Sequence, residues 1–135
     1  MLRLTDATYT EMVAHSLDDL PNEACGLVAA APGSSKVERV YRCRNAAASS
    51  RRYELDPLDH LKADRDAEGR GLEIVGVYHC HTHTSAYPSP TDVDQAPDPS
   101  WHYVLVSLKD PEPVVRSFRI LDGRIEEEPL ELDRR

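Results

Sequence analysis

His79-x-His81, followed eleven positions later by Asp92, brings together the residue types of a metal site. In extended chain, residues two apart share a face. A strand ending in His79-Cys80-His81 therefore aims both imidazoles one way and the Cys80 thiol the other. Two nitrogen ligands and one oxygen ligand, with a fourth position left to solvent, is how catalytic zinc is held, whereas structural zinc is closed off by four ligands. The reaction class this suggests is metal-assisted hydrolysis. It needs a water whose pKa falls to about 7, a carboxylate to take its proton, and a donor to steady the oxyanion.

The elements that would carry these groups can be read along the chain. Tyr9, Met12, Val13, Leu17 and Leu20 recur at helical spacing, so a first helix is expected from Asp6 to about Leu20, with Thr8-x-x-Glu11 as a capping box and Pro21 as its stop. Ala24 to Ala30 is a short apolar run of strand length before the turn Pro32-Gly33-Ser34, which sets Glu23 at the mouth of a buried strand. Lys36 to Arg44 places Val37, Tyr41 and Cys43 on one parity and pairs with it. A small-residue loop, Asn45 to Arg51, leads to a brief strand over Arg52 to Leu55. Asp56-Pro57 then caps a helix running to about Glu68. The ligand strand spans Leu72 to His81, and Ser89-Pro90 is a second cap with proline in the first helical turn. Strands are expected over Trp101 to Leu108, Val114 to Leu121 and, after the Asp122-Gly123 turn, Arg124 to Leu132. The sum is a mixed α/β chain of six to eight strands and two or three helices.

Composition excludes several classes. With 135 residues, of which 40% are hydrophobic, the chain supports one modest core, and one domain over 1–135 is expected. Sixteen Lys+Arg against 24 Asp+Glu give a net charge of −8, and the basic residues form no stripe, so nucleic-acid binding is not expected. No segment approaches the roughly 20 apolar residues of a membrane span, and the N-terminus has no apolar leader. The cytoplasm is the expected location. Cys25, Cys43 and Cys80 are odd in number and without a C-x-x-C pair, which reads as reduced thiols.

Pro21-Asn-Glu23-Ala-Cys-Gly-Leu27, Gly76-Val-Tyr-His79-Cys-His81 and Pro88-Ser89-Pro-Thr-Asp92 together resemble the JAMM motif of the JAMM/MPN+ zinc metalloprotease family, and the match extends over nearly the whole chain. The resemblance implies a single MPN/JAB domain, similar to the cytidine deaminases, with a mixed sheet flanked by helices. It also implies one zinc ion held by His79, His81 and Asp92, Glu23 as general base, and Ser89 as oxyanion stabiliser. Spacing alone does not select Glu23, which lies more than fifty residues upstream of the histidines. The absence of long insertions resembles the stand-alone bacterial branch, and within it the actinobacterial Mec-type enzymes. Those release cysteine from a ubiquitin-like sulfur-carrier protein after its C-terminal Gly-Gly, as part of cysteine biosynthesis.

Two departures from the family pattern bear on the site. Thr82 stands where many members have proline, and an additional His83 follows it. Cys80 replaces a common serine. His83 shares parity with the other two histidines and would compete for the metal if the strand continued. A turn is expected first, and His81 is preferred over His83 because only His79 and His81 keep the ten-residue gap to Asp92 with a partner two residues upstream. Taken singly, the two histidines fit a solvated strand end, and Asp92 fits an acid in the first turn of a capped helix. His15, His60 and His102 read as surface or satisfied core residues, and Glu126-Glu-Glu128 and Asp18-Asp19 as solvated surface. The alternatives to a carrier-processing hydrolase are a non-catalytic MPN binding module and an isopeptidase acting on another ubiquitin-like conjugate. A zinc deaminase would require H-x-E and P-C-x-x-C, neither of which occurs. The sequence leaves the oligomeric state open.

Overall fold

The computed structural model describes residues 1–96 and 98–133. Its centre is a six-stranded sheet built from β2 (Cys25–Ala30), β3 (Arg39–Cys43), β4 (Glu73–His81), β5 (His102–Ser107), β6 (Val114–Leu121) and β7 (Arg124–Glu128), in the order β3-β2-β4-β5-β6-β7. Only β4 and β5 run parallel; the other neighbours are antiparallel. β4 is therefore an inner strand, and its residues Gly76 to His81 are all buried. Gly76 is required here because a Cβ at that position would collide with the His102 carbonyl of β5.

Alternation splits the core into two layers. Val28, Tyr78, Val104 and Val106 face one side, where they pack with Met12 of helix α1 (Asp6–Asp18). Leu27, Val77 and Leu105 face the other, with Ala63 of helix α2 (Pro57–Gly69). His79 and His81 share the parity of Val77, so they lie on the α2 side. Cys80 and Tyr78 point the opposite way, as the alternation predicted, and all three cysteines are buried free thiols.

Several expectations are corrected. Residues Leu2–Thr5 form a strand, β1, that pairs in parallel with β8 (Leu130–Asp133) as a separate two-stranded sheet. The expected single return strand after Gly123 is thus two strands, separated at Pro129, which has no N–H to continue a ladder. The capping box lies one turn earlier than read: Thr5 Oγ1 accepts the Thr8 N–H at 3.1 Å and Thr8 Oγ1 accepts the Thr5 N–H at 2.9 Å. Leu17 and Leu20, assigned to the apolar stripe, are exposed. Arg52 to Leu55 forms no ladder, only an isolated bridge between Asn45 and Leu55. Glu128 is buried rather than solvated; it accepts from Ser117 Oγ at 2.7 Å and faces His102 Nδ1 at 2.7 Å and the Met1 ammonium at 2.9 Å. The Asp122-Gly123 turn is as predicted, with both residues at positive φ (51° and 77°).

Candidate metal centre

β4 delivers the two imidazoles, and helix α3 (Pro90–Asp94) delivers the carboxylate. Ser89 starts α3: its Oγ accepts the Asp92 N–H at 3.1 Å, and Asp92 Oδ2 accepts the Ser89 N–H at 2.9 Å. This reciprocal cap fixes the Asp92 side chain in a buried position. Asp92 Oδ2 comes within 2.9 Å of His81 Nε2 and 3.1 Å of His79 Nε2, and the two Nε2 atoms are 3.2 Å apart. Ligands about 2.0–2.1 Å from a tetrahedral zinc lie roughly 3.3 Å from one another. The trio is thus near the spacing of one face of such a site, and it is the group of His, Cys and acidic side chains suited to a metal ion among the described residues.

Neighbouring groups set the state of each ligand. His81 Nδ1 lies 2.8 Å from the Ser85 carbonyl, which can only accept, so Nδ1 carries a proton and Nε2 is the atom a metal would take; burial lowers the His81 pKa, but its bonds to Asp92 and Ser85 outweigh that and raise it. The Tyr53 ring stacks on His79 at 4.3 Å and 24°. Burial lowers the His79 pKa against the opposing pull of Asp92, which favours the neutral imidazole a metal requires. Burial alone would push Asp92 up, but its bonds to both histidines hold the carboxyl well below the usual range. Asp92 is therefore an anion between two imidazoles.

Glu23, just before β2, is 4% exposed and lies within electrostatic reach of His81 and Asp92. Desolvation raises its pKa to about 7. Its Oε1 is buried without a hydrogen-bond partner. A buried carboxylate oxygen left unpaired costs stability, and its presence beside the trio fits a centre that holds a cation and a polar reactant. The structure thus brings Glu23, His79, His81, Ser89 and Asp92 to one region on the α2 side of the sheet. His83 is exposed in the loop after β4, outside the trio.

Two contributors escaped the sequence reading. Tyr53, placed on a brief strand, is the wall against His79. It also lines, with Leu55, Val77, Gln95 and Trp101, an apolar cavity of about 210 Å³ beside the centre. Asn45, read as part of a small-residue loop, is buried and bonded to the main chain of Glu23. Neither had a sequence signal, because each partner is more than twenty positions away.

The family model describing prokaryotic homologs of the JAB domain matches residues 5–121. A CysO-cysteine peptidase from Mycobacterium tuberculosis is 48% identical over 120 residues, covering 88% of this chain and 82% of the relative. A probable TtuB-protein conjugate cleaving protease from Thermus thermophilus is 40% identical over 117 residues, covering 84% of this chain and 72% of the relative. Among solved structures, the solution structure of a protein from Desulfitobacterium hafniense superposes with a TM-score of 0.92 at 38% identity, covering 100% of this chain and 94% of that one.

Proposed function

This chain belongs to the family of prokaryotic JAB-domain homologs, and on that premise we propose that it is a zinc-dependent hydrolase releasing cysteine from the C-terminal Gly-Gly of a ubiquitin-like sulfur-carrier protein. His79, His81 and Asp92 hold the ion, Glu23 is the general base, and Ser89 is the oxyanion donor. The observation that carries the proposal is the buried, unpartnered Glu23 oxygen beside three converging ligand atoms. A module that only binds a partner gains nothing from that costly arrangement. The name of the M. tuberculosis relative supports cysteine as the released group.

Zinc, when bound, supplies a Lewis acid that polarises the scissile carbonyl and acidifies water. The chain's own groups account for the proton movements. Glu23, with a pKa near 7, is matched to take a proton from the attacking water and return it to the departing amine. The Ser89 oxygen is occupied as acceptor of the Asp92 N–H, which leaves its O–H free to donate to the developing oxyanion. Tyr53 and the Ser85 carbonyl fix the two imidazoles, so the centre is ordered before substrate arrives.

The segment over residues 52–56 would serve as the docking edge for the carrier tail. Arg52, Glu54 and Asp56 turn main-chain groups inward to Asn45, Ala46 and Arg44, and alternation directs those of Tyr53 and Leu55 outward beside the centre. An extended tail ending in two glycines can approach such an edge closely, with affinity from backbone pairing. The T. thermophilus relative's name favours a second reading, an isopeptidase acting on protein conjugates of such a carrier. Mass spectrometry of candidate carriers, incubated with and without the chain, separates the two. Loss of one C-terminal cysteine supports the first reading; release of a whole protein from the carrier's C-terminus supports the second. A carrier left intact in every form contradicts both.

A further inference from the structure

Asn45 is a buried polar side chain that the chemistry above does not use. Its Nδ2 donates to Glu23 O and to Arg52 O, both at 3.0 Å, with Ser49 O at 3.4 Å. Its Oδ1 accepts the N–H groups of Ala47 at 2.9 Å and Glu54 at 3.0 Å. Glu23 is tied to the same loop a second time, through its own N–H to Ser49 O at 2.8 Å. Both main-chain groups of Glu23 are therefore held by residues 45–49 rather than by the sheet.

The loop also reaches the ligand strand. Thr82, immediately after His81, donates from Oγ1 to Ser50 O at 3.4 Å. Ala48 sits at φ 45°, in the left-handed region. A non-glycine residue there is strained, and the strain persists only where surrounding contacts over-determine the conformation. An asparagine serving only its own turn would bond locally. This one directs a donor to a residue 22 positions away.

We propose that Asn45 is a positioning residue for Glu23, fixing the main chain from which the carboxylate projects and, through the loop of residues 46–52, setting its place relative to His81 and Asp92. The inference rests on the reading of Glu23 as general base. Misplacing a reacting group by about 1 Å costs on the order of 100-fold in rate, so a side chain that touches no substrate can still govern turnover.

Asn45→Asp tests this directly, because it keeps both acceptor bonds to Ala47 and Glu54 and removes the donors. The expected result is a kcat lower by about 10–100-fold with KM within about threefold of wild type. Zinc affinity, measured by chelator competition, stays unchanged. In a Glu23→Gln background the same substitution adds no further loss. Independently of turnover, hydrogen exchange at the Glu23 amide of the metal-free protein accelerates. Losses that multiply in the double variant, a rise in KM that accounts for the effect, or an unaltered Glu23 amide would overturn the proposal.

If the wild-type chain processes no carrier, the base reading fails, and the exchange rate still decides whether Asn45 holds the Glu23 segment. Should Asn45→Asp not fold, Thr82→Val removes only the outer tie of the loop. A kcat about threefold lower at constant KM supports the proposal, and an unchanged kcat contradicts it.

Discussion

In the proposed function the proton chemistry falls to Glu23. Its carboxyl titrates near 7 because burial penalises the anion, only partly offset by His81 and reinforced by Asp92. A folded-state pKa above the unfolded value means that stability from this group is present below about 4.5 and is lost as pH rises through 7. Glu23→Gln removes that buried charge. In the metal-free protein it should therefore raise the Tm relative to wild type at pH 8 and have little effect at pH 5; thermal unfolding at the two pH values measures the difference. With zinc bound, the same variant should keep the ion and lose about 10²–10⁴-fold in turnover, which a rate assay paired with metal analysis would show. The convergence of His79 and His81 was legible in sequence because strand alternation makes H-x-H a local geometric statement. Glu23 and Ser89 were legible only through the family resemblance, and Asn45 and Tyr53 through neither, since turn asparagines and strand tyrosines are common for other reasons.

Elements place these residues, and the local signals that mark them are uneven in strength. β4 and α2 fell where alternation and the Asp56-Pro57 cap predicted, because buried inner strands and capped helices carry strong local signals. β1 and β8 were missed as a pair, since a four-residue strand has little periodicity and its partner lies at the other end of the chain. Ser89 caps α3, and in the proposed function it is also the hydroxyl donor. Ser89→Ala should accordingly cost about 1 kcal/mol of stability through loss of the cap as well as turnover, and denaturant unfolding would register the first effect separately from the second. Glu128 was misread because an acidic run looks solvated whichever member turns inward. Burial alone would raise its pKa, but His102, the Met1 ammonium and Ser117 outweigh that and bring it down to about 2. A lowered carboxylate pKa gives stability that is present above about 4.5 and lost as pH falls through 2. Glu128→Gln should be destabilising at pH 7, with a deficit that shrinks toward pH 2; an equal deficit at both ends of a Tm series would contradict the assignment.

At the scale of the molecule, the centre exists only when the inner strand of the sheet and the short helix α3 are docked together. Three proposed ligands drawn from two elements have no common site in the unfolded chain, so affinity for a metal there would be linked to folding. Zinc at 100 times its Kd should stabilise the protein by about 2.7 kcal/mol, and chelation should lower the Tm correspondingly in a thermal scan. The parallel β4–β5 pair and the two-layer core make this docking possible, within a fold that superposes on the D. hafniense structure over the whole of this chain. The most direct test of the whole account is zinc content measured together with turnover of a carrier-cysteine conjugate, before chelation, after it, and after zinc is returned. The account predicts that one zinc per chain and full turnover return together in the wild type, that Glu23→Gln regains the zinc without the turnover, and that Asp92→Ala regains neither. Turnover persisting in the fully metal-free chain, or undiminished in Glu23→Gln, would contradict it.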